Sequence, residues 1–198
     1  MPNLYIISGC NGAGKTTASY AMFPKMLDCK EFINADEIAK GLSPFQPESV
    51  SIEAGRIMIM RMNEMLHLQE DFAVETTLAT KSYANFIRRA QEQGYFVTLI
   101  YFWLESPELA IHRVEQRVRF GGHYVPENVV RRRYFAGMKN LFSMFVPICD
   151  YWLLVDNSTD PFQMIAEGNK TKVTEIYDDE LFEYLRYFGK EPTYYEEE

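Results

Sequence analysis

Residues Gly9-Cys10-Asn11-Gly12-Ala13-Gly14-Lys15-Thr16 follow directly on the apolar run Leu4-Tyr5-Ile6-Ile7-Ser8 and have the spacing G-x-x-x-x-G-K-[ST]. Such a loop needs a buried strand before it, backbone without bulky Cβ atoms so that N–H groups can converge on an anion, and a helix after it whose positive end faces the same point. Gly9, Gly12 and Gly14 meet the second need, with Asn11 and Ala13 completing the loop. Lys15 supplies a point charge to the β- and γ-phosphates, Thr16 offers its hydroxyl to Mg²⁺, and Thr17 extends the same turn. The expected ligand is therefore a nucleoside triphosphate, ATP or GTP, with Mg²⁺. A bare Gly-rich turn is the bland alternative, disfavoured by the strand before it and the helix after it.

Around this loop the chain reads as one α/β domain. Its 198 residues, 47% of them hydrophobic, suffice for one substantial core and a lid or appendage but not for two full domains. A net charge of -8 argues against a general binder of nucleic acid or of anionic membrane. Cys10, Cys29 and Cys149 are odd in number and lack metal spacing, so a reducing cytoplasmic setting is expected and no metal cluster. No apolar run approaches ~18 residues and no charged leader precedes the first strand, so neither a membrane span nor a signal peptide is expected.

Apolar β-rich runs alternate with helical stretches, the pattern of a parallel sheet covered on both faces. Strands are expected at Leu4 to Ser8, Glu31 to Ala35, Phe72 to Glu75, Tyr95 to Leu104 and Tyr151 to Val155. Helices are expected from Lys15 to Met22, stopped by Pro24, then from Glu48 to Gln69, Ser82 to Gln93, Pro107 to Arg119 and from Pro126 to about Phe145. In the long second helix Ile52, Ile59 and Leu66 recur every seven residues beside Met58, Met62 and Met65, which reads as core packing. Gln163 to Glu167 and Lys172 to Tyr177 flank Gly168-Asn169 as a hairpin, Glu180 to Phe188 form a last helix, and the acidic end Tyr194 to Glu198 is expected to fray. The domain expectation is residues 1–158 as the nucleotide-binding unit, with a lid at about 107–135, and residues 159–198 as an appended hairpin and helix.

Ligands of open α/β sheets bind beyond the carboxyl ends of the strands, and three polar segments fall there. Asp36 follows the second strand, where its carboxylate can accept a proton from an incoming hydroxyl or, equally, cap the helix that starts at Glu37-Ile38. Glu75 ends an otherwise apolar strand and so needs a partner, with Thr76 and Thr77 offering neutral hydrogen-bonding groups beside it. The third segment carries Arg113, Arg117 and Arg119, then Gly121-Gly122-His123, then Arg131-Arg132-Arg133. It reads either as a mobile lid that brings cations to a phosphoryl group or as a solvated basic face. His67 and His112 carry no pattern, and Cys10 is either a small filler of the loop or an oxidisable thiol.

Together these residues, Gly9 to Thr16, Asn34-Ala35-Asp36, Val74-Glu75-Thr76-Thr77 and Arg113 through Val125-Pro126, resemble the zeta-toxin family of P-loop kinases. The match runs from about residue 3 to residue 156 and is closest to a bacterial branch often labelled as predicted ABC-type ATPases, although the L-S-G-G-Q signature that an ABC ATPase needs is absent. The resemblance implies a three-layer P-loop kinase-like fold with a five-stranded parallel sheet in the order 2-3-1-4-5, a helical lid, and a small C-terminal hairpin and helix. It implies ATP or GTP with Mg²⁺ as donor, a nucleotide-sugar acceptor such as UDP-N-acetylglucosamine, and an antitoxin protein as partner. It makes Lys15 and Thr16 ligands of phosphate and metal, Asp36 the catalytic base, Glu75 and Thr77 substrate contacts, and Arg113 the first of two phosphate-binding arginines. The second arginine is replaced by His123 at its usual place, leaving Arg117, Arg119 or Arg132 for that role, and the family's acidic substrate residue on the long helix aligns near Ile59. The competing function is a P-loop ATPase or nucleotide-dependent partner-binding protein without an acceptor. Asn169-Lys170-Thr171-Lys172 is not the guanine-reading N-K-x-D of GTPase switches.

Overall fold

The longest strand-forming run, FVTLIYFW, becomes β4 (Phe96–Trp103), and all but its first residue are buried. A strand apolar on both faces must be covered on both, which places it inside the sheet. In the computed structural model, which describes residues 1–22 and 29–188, β4 is the middle strand of seven. The others are β1 (Asn3–Ser8), β2 (Glu31–Ile33), β3 (Phe72–Thr76), β5 (Tyr151–Asp156), β6 (Gln163–Gly168) and β7 (Val173–Ile176). They run in the order β2-β3-β1-β4-β5-β6-β7. The first five are parallel, and β6 and β7 add antiparallel to β5. The expected order of the five parallel strands is therefore present. The hairpin differs from expectation: it extends the main sheet to seven strands, because the Leu154 edge of β5 pairs with Ala166 of β6. The helix stop at Pro24 and the acidic end 194–198 lie outside the described residues.

Among the described residues, seven α-helices connect and cover the sheet: α1 (Lys15–Met22), α2 (Ala35–Leu42), α3 (Ser51–Leu68), α4 (Ser82–Glu92), α5 (Pro107–Arg119), α6 (Glu127–Asn140) and α7 (Asp179–Phe188). The chain moves from β1 outward to β2 and then back through β3, so right-handed crossovers put α1 on the opposite face from α3 and α4. Ser106 caps α5 by accepting from the Leu109 amide, and Pro107 fills its first turn. Trp152 of β5 stacks on Phe182 of α7 with ring centroids 6.3 Å apart, which docks the C-terminal helix onto the core. Burying side chains of that size stabilises by roughly 1.5–3 kcal/mol each. No helix among the described residues is long and apolar enough to cross a membrane.

The methionine side of α3 packs as expected, with Met58, Met62, Met65 and Leu66 buried, but Ile52 and Ile59 are 73% and 60% exposed. A seven-residue spacing drifts only ~20° per repeat, so Ile52, Ile59 and Leu66 do share a face. That face is covered only near its end, where Tyr95 donates to the Met65 carbonyl at 2.8 Å; at Ile59 it opens onto a cavity between α3 and α4.

Asp150, just before β5, ties four elements together. Its carboxylate accepts from the Val97 amide of β4 at 2.9 Å, from Gln91 of α4 at 2.9 Å and from Lys170 in the hairpin turn at 3.0 Å. Burial pushes its pKa up, but these three donors outweigh burial and hold it below the ordinary carboxylate value. A depressed pKa contributes stability above the unfolded-state pKa and loses it as pH falls through the folded-state pKa. Asp150→Ala should therefore cost about 1–3 kcal/mol in urea unfolding at neutral pH, and the gap to the parent should shrink as the solution is acidified below the usual carboxylate range.

Candidate functional site

The phosphate loop turns between β1 and α1 with positive φ at Gly9, Gly12 and Gly14. Each of the three also lies where a side chain has no room. A Cβ at Gly9 would stand 2.2 Å from the Phe102 carbonyl of β4, one at Gly12 2.5 Å from the Ala110 carbonyl of α5, and one at Gly14 2.4 Å from the Asn157 amide beyond β5. The loop is thus held tightly by three neighbours. Asn11 and Ala13 are buried within it, while Thr17 is exposed on α1. Cys10 is 3% exposed, and burial pushes its thiol up to about 11 against the lowering effect of Lys15, so it fills space and is not a thiolate.

Lys15 is 5% exposed and needs compensation. Its Nζ donates to the Cys10 carbonyl at 2.8 Å and lies 3.5 Å from Glu75 Oε1. The other oxygen of Glu75 accepts from Thr16 Oγ1 at 2.7 Å and from Asn34 Nδ2 at 2.8 Å. Glu75, expected on chemical grounds to need a partner, has three, and all belong to the phosphate-loop region. Thr16 and Glu75 bring a hydroxyl and a carboxylate oxygen together, a donor set suited to a small hard cation that takes its remaining ligands from phosphates and water. Thr76 accepts from the Leu78 amide at 3.2 Å. Thr77 lies one residue beyond β3, its backbone carbonyl close against Gly137 of α6.

Asn34 has a second task that sequence reading did not assign. Its Oδ1 accepts from the amides of Asp36 and Glu37 at 2.8 and 3.4 Å, so Asn34 is the N-cap of α2. Asp36 is thereby relieved of capping and stands in the first turn of α2. Its carboxylate lines a cleft of about 290 Å³ with Thr16, Lys40, Glu48, Arg117, Gly121 and His123. Arg117 Nη1 is 4.0 Å from Asp36 Oδ2, and Arg117 Nη2 donates to the His123 carbonyl at 2.7 Å. His123 Nδ1 stands 3.4 Å from Glu48 Oε1, poorly aligned for a hydrogen bond. Glu48 sits in a 3₁₀ turn (Pro47–Val50), where no periodic pattern draws attention to it.

The remaining arginines divide. Arg113 is not among the groups facing Asp36: its guanidinium donates to the Asn157 and Ser158 carbonyls at 2.7 and 2.8 Å. In the Arg131-Arg132-Arg133 run, Arg131 pairs with Glu108 at 2.6 Å, Arg132 is exposed, and Arg133 reaches Asn11 of the phosphate loop at 3.1 Å. Burial lowers the Arg133 pKa, and the nearby Asp36 charge works against that fall. Arg133 has no role of its own on sequence grounds; the signal that could have found it is the register of α6, in which Val130, Tyr134 and Gly137 are buried and position 133 borders them. A second, larger cavity of about 550 Å³ opens between α3 and α4, walled by Ala35, Met58, Ile59, Met62, Tyr83 and Phe86.

The sequence model of the zeta toxin family matches residues 1–146. A protein of Haemophilus influenzae described as uncharacterized is 32% identical over 127 residues, 64% of this chain and 88% of that one. Among solved structures, the AvrRxo1-ORF1:AvrRxo1-ORF2 complex with sulphate ions superposes with a TM-score of 0.76 at 19% identity, covering 94% of this chain and 64% of that chain. The same pair has been solved with ATP, at a TM-score of 0.75. The PezAT chromosomal toxin-antitoxin system of Streptococcus pneumoniae gives a TM-score of 0.65 at 16% identity, over 92% of this chain and 78% of that one. At these identities the likeness is one of fold. This chain spans 64% of the length of the AvrRxo1 chain it matches.

The Lys15–Glu75 contact lies where water is excluded, so removing one charge leaves the other unpaired. Glu75→Gln should keep the Thr16 contact, lose the countercharge of Lys15, and lower the stability of the ligand-free protein by about 1–3 kcal/mol in urea unfolding. Glu75→Gln combined with Lys15→Met should recover part of that loss.

Proposed function

The chain belongs to the zeta toxin family, and on that premise we propose that it is an ATP-dependent kinase that transfers the γ-phosphoryl group to a hydroxyl of a nucleotide-sugar-like acceptor. The observation that carries the reading is the cleft in which Asp36, Arg117 and the phosphate-loop Thr16 meet. A nucleotide held by a phosphate loop presents its γ-phosphate near the start of the following helix, and a carboxylate across a cleft from Thr16 is placed to receive a proton as the acceptor oxygen bonds to phosphorus. The β–γ bond breaks in the same event and the nucleoside diphosphate leaves.

Each neighbour has a role in that transfer. Lys15 and the loop amides hold the β- and γ-phosphates, and Thr16, with Glu75 beside it, would hold a Mg²⁺ ion whose charge would offset that of the phosphates. Arg117 and Lys40 share the cleft with Asp36, Arg133 lies close enough to feel its charge, and Arg113 acts from beside the loop. The acceptor extends from the polar cleft toward the cavity between α3 and α4, since Ala35, next to Asp36, forms part of the cavity wall. A volume of about 550 Å³ lies within the usual range for small-molecule sites. Glu75 and Thr77 at the end of β3, His123 at the lid and Arg132 on α6 are further acceptor contacts in this reading. An antitoxin fits the same mouth, where Phe45 and Phe120 are 98% and 92% exposed. A cytoplasmic setting suits the three unpaired, buried cysteines.

The test is transfer of label from γ-labelled ATP to a panel of nucleotide sugars, UDP-N-acetylglucosamine among them, read by chromatography of products. Asp36→Ala should lower transfer by about 10²–10⁴-fold while ATP affinity, measured by calorimetry, stays within about twofold of the parent. Transfer at the parent rate would overturn the base assignment. Release of inorganic phosphate with no labelled acceptor would favour a P-loop ATPase instead.

A further inference from the structure

The loop after β5 takes no part in the reading above, yet it is built onto the phosphate loop by a set of directed bonds. Asn157 is fastened on both sides of its Cα: its amide N–H donates to the Trp103 carbonyl at 3.0 Å, and its carbonyl accepts from Arg113 Nη1 at 2.7 Å. Arg113 Nη2 fixes the next carbonyl, Ser158, at 2.8 Å. Ser158 is held in turn by its own bonds, its amide donating to Asp156 Oδ1 at 2.8 Å and its hydroxyl accepting from the Glu105 amide at 2.8 Å. The Asn157 side chain is thus aimed, and Nδ2 donates to the Ala13 carbonyl at 2.8 Å. The orientation of this amide is not ambiguous, since a carbonyl only accepts and the near atom must be the nitrogen.

The consequence follows from peptide planarity. In a trans peptide the C=O and the following N–H point in opposite directions. Holding the Ala13 carbonyl outward, against Asn157, turns the Gly14 N–H inward, toward the centre on which a phosphate loop's amides converge. Gly14 adopts φ +79 and has Asn157 where its Cβ would be, so this peptide adjoins a residue with no Cβ to restrict it and is the one Asn157 clamps.

We propose that Asn157 is a positioning residue for the phosphate loop, fixing the 13–14 peptide so that the Gly14 amide faces the nucleotide's phosphates, and that Arg113 serves this clamp by holding the Asn157 and Ser158 carbonyls. The proposal rests on the nucleotide-binding reading of the same loop but not on any acceptor. It gives Arg113 work to do before a phosphate arrives, in keeping with its two carbonyl bonds.

The test uses the whole chain and two probes, Mg-ATP and inorganic tripolyphosphate, with affinities measured by calorimetry. Asn157→Leu is nearly isosteric and adds no charge, so it removes the donor without repelling phosphate. The expected result is about a tenfold loss of affinity for both probes, with thermal unfolding of the ligand-free protein little changed. Unchanged affinity for both would overturn the proposal. Loss for ATP alone would also overturn it, because it would show that Asn157 reads the base and not the phosphate nest. Should the variant fail to fold, the ¹H–¹⁵N signal of Gly14 in the parent protein decides: a large shift on adding tripolyphosphate supports the clamp, and none overturns it. A parent that binds neither probe sinks this proposal and the kinase reading together. A parent that binds ATP but labels no acceptor sinks the kinase reading alone.

Discussion

Backbone is pressed against backbone at the phosphate loop, and much of the molecule is arranged to allow it. A Cβ at Gly9 would strike β4, and one at Gly12 would strike α5. These approaches exist because β1 pairs with β4 from Asn3↔Phe96 to Ser8↔Tyr101, carrying the loop to the end of the sheet where β4 turns into α5. Hydrophobic burial supplies the force that brings the strands together, with Leu4, Ile6 and Leu99 fully buried. The absence of three side chains then decides what that burial can shape. A loop with ordinary residues at those positions would either strain its φ angles or push β1 away from its neighbours.

Polar groups buried beside the loop are satisfied by one another in a closed set. Lys15 and Asn34 are each only 5% exposed, and both point to Glu75, which Thr16 also reaches. Asn34 bonds Glu75 with its amide nitrogen and caps α2 with its amide oxygen. The direction of α2, and hence the place of Asp36, is therefore tied to the same carboxylate that balances the loop lysine. A buried polar set of this kind confers geometry more than stability, since desolvation offsets most of the attraction. Function at Asp36 would depend on Glu75 even if the two never share a ligand.

What was legible beforehand follows from which features have a period or a steric signature. Strand and helix positions were visible because alternation and 3.6-residue spacing repeat over many residues, and the phosphate loop because only glycine tolerates its geometry. The hairpin was visible at Gly168-Asn169, but its joining of the sheet was not, since pairing to the free edge of β5 leaves no local mark. Arginine roles were the least legible part. Three successive arginines on a helix point about 200° apart from first to last, and only the buried register of α6 tells that Arg133, not Arg132, turns toward Asn11. Glu48 lies in a short turn with no pattern at all. Asn34 looked like part of a strand end; its capping is local, to the amides of Asp36 and Glu37, but its bridge to Glu75 depends on a residue 41 positions away.

The two spaces beside Asp36 have opposite chemistry, and that contrast bears on selectivity. The smaller cleft is lined by charged groups of both signs, and the larger cavity by methionine, isoleucine and aromatic side chains, with Arg89 lying 5.4 Å over the Phe86 ring at one end. Ile59 takes the place where the family resemblance implies an acidic residue. A carboxylate there would reward an acceptor rich in hydroxyls, because each hydroxyl lost from water would regain a strong partner. An isoleucine offers no such return, so the hydroxyls of a sugar would be better matched by the polar cleft than by this wall, and the less polar part of an acceptor would face Ile59. Discrimination by missing hydrogen bonds is far steeper than discrimination by missing methylenes. On the proposed kinase reading, the cavity wall, and not the phosphate loop, is therefore where this chain would part from its relatives in its choice of acceptor.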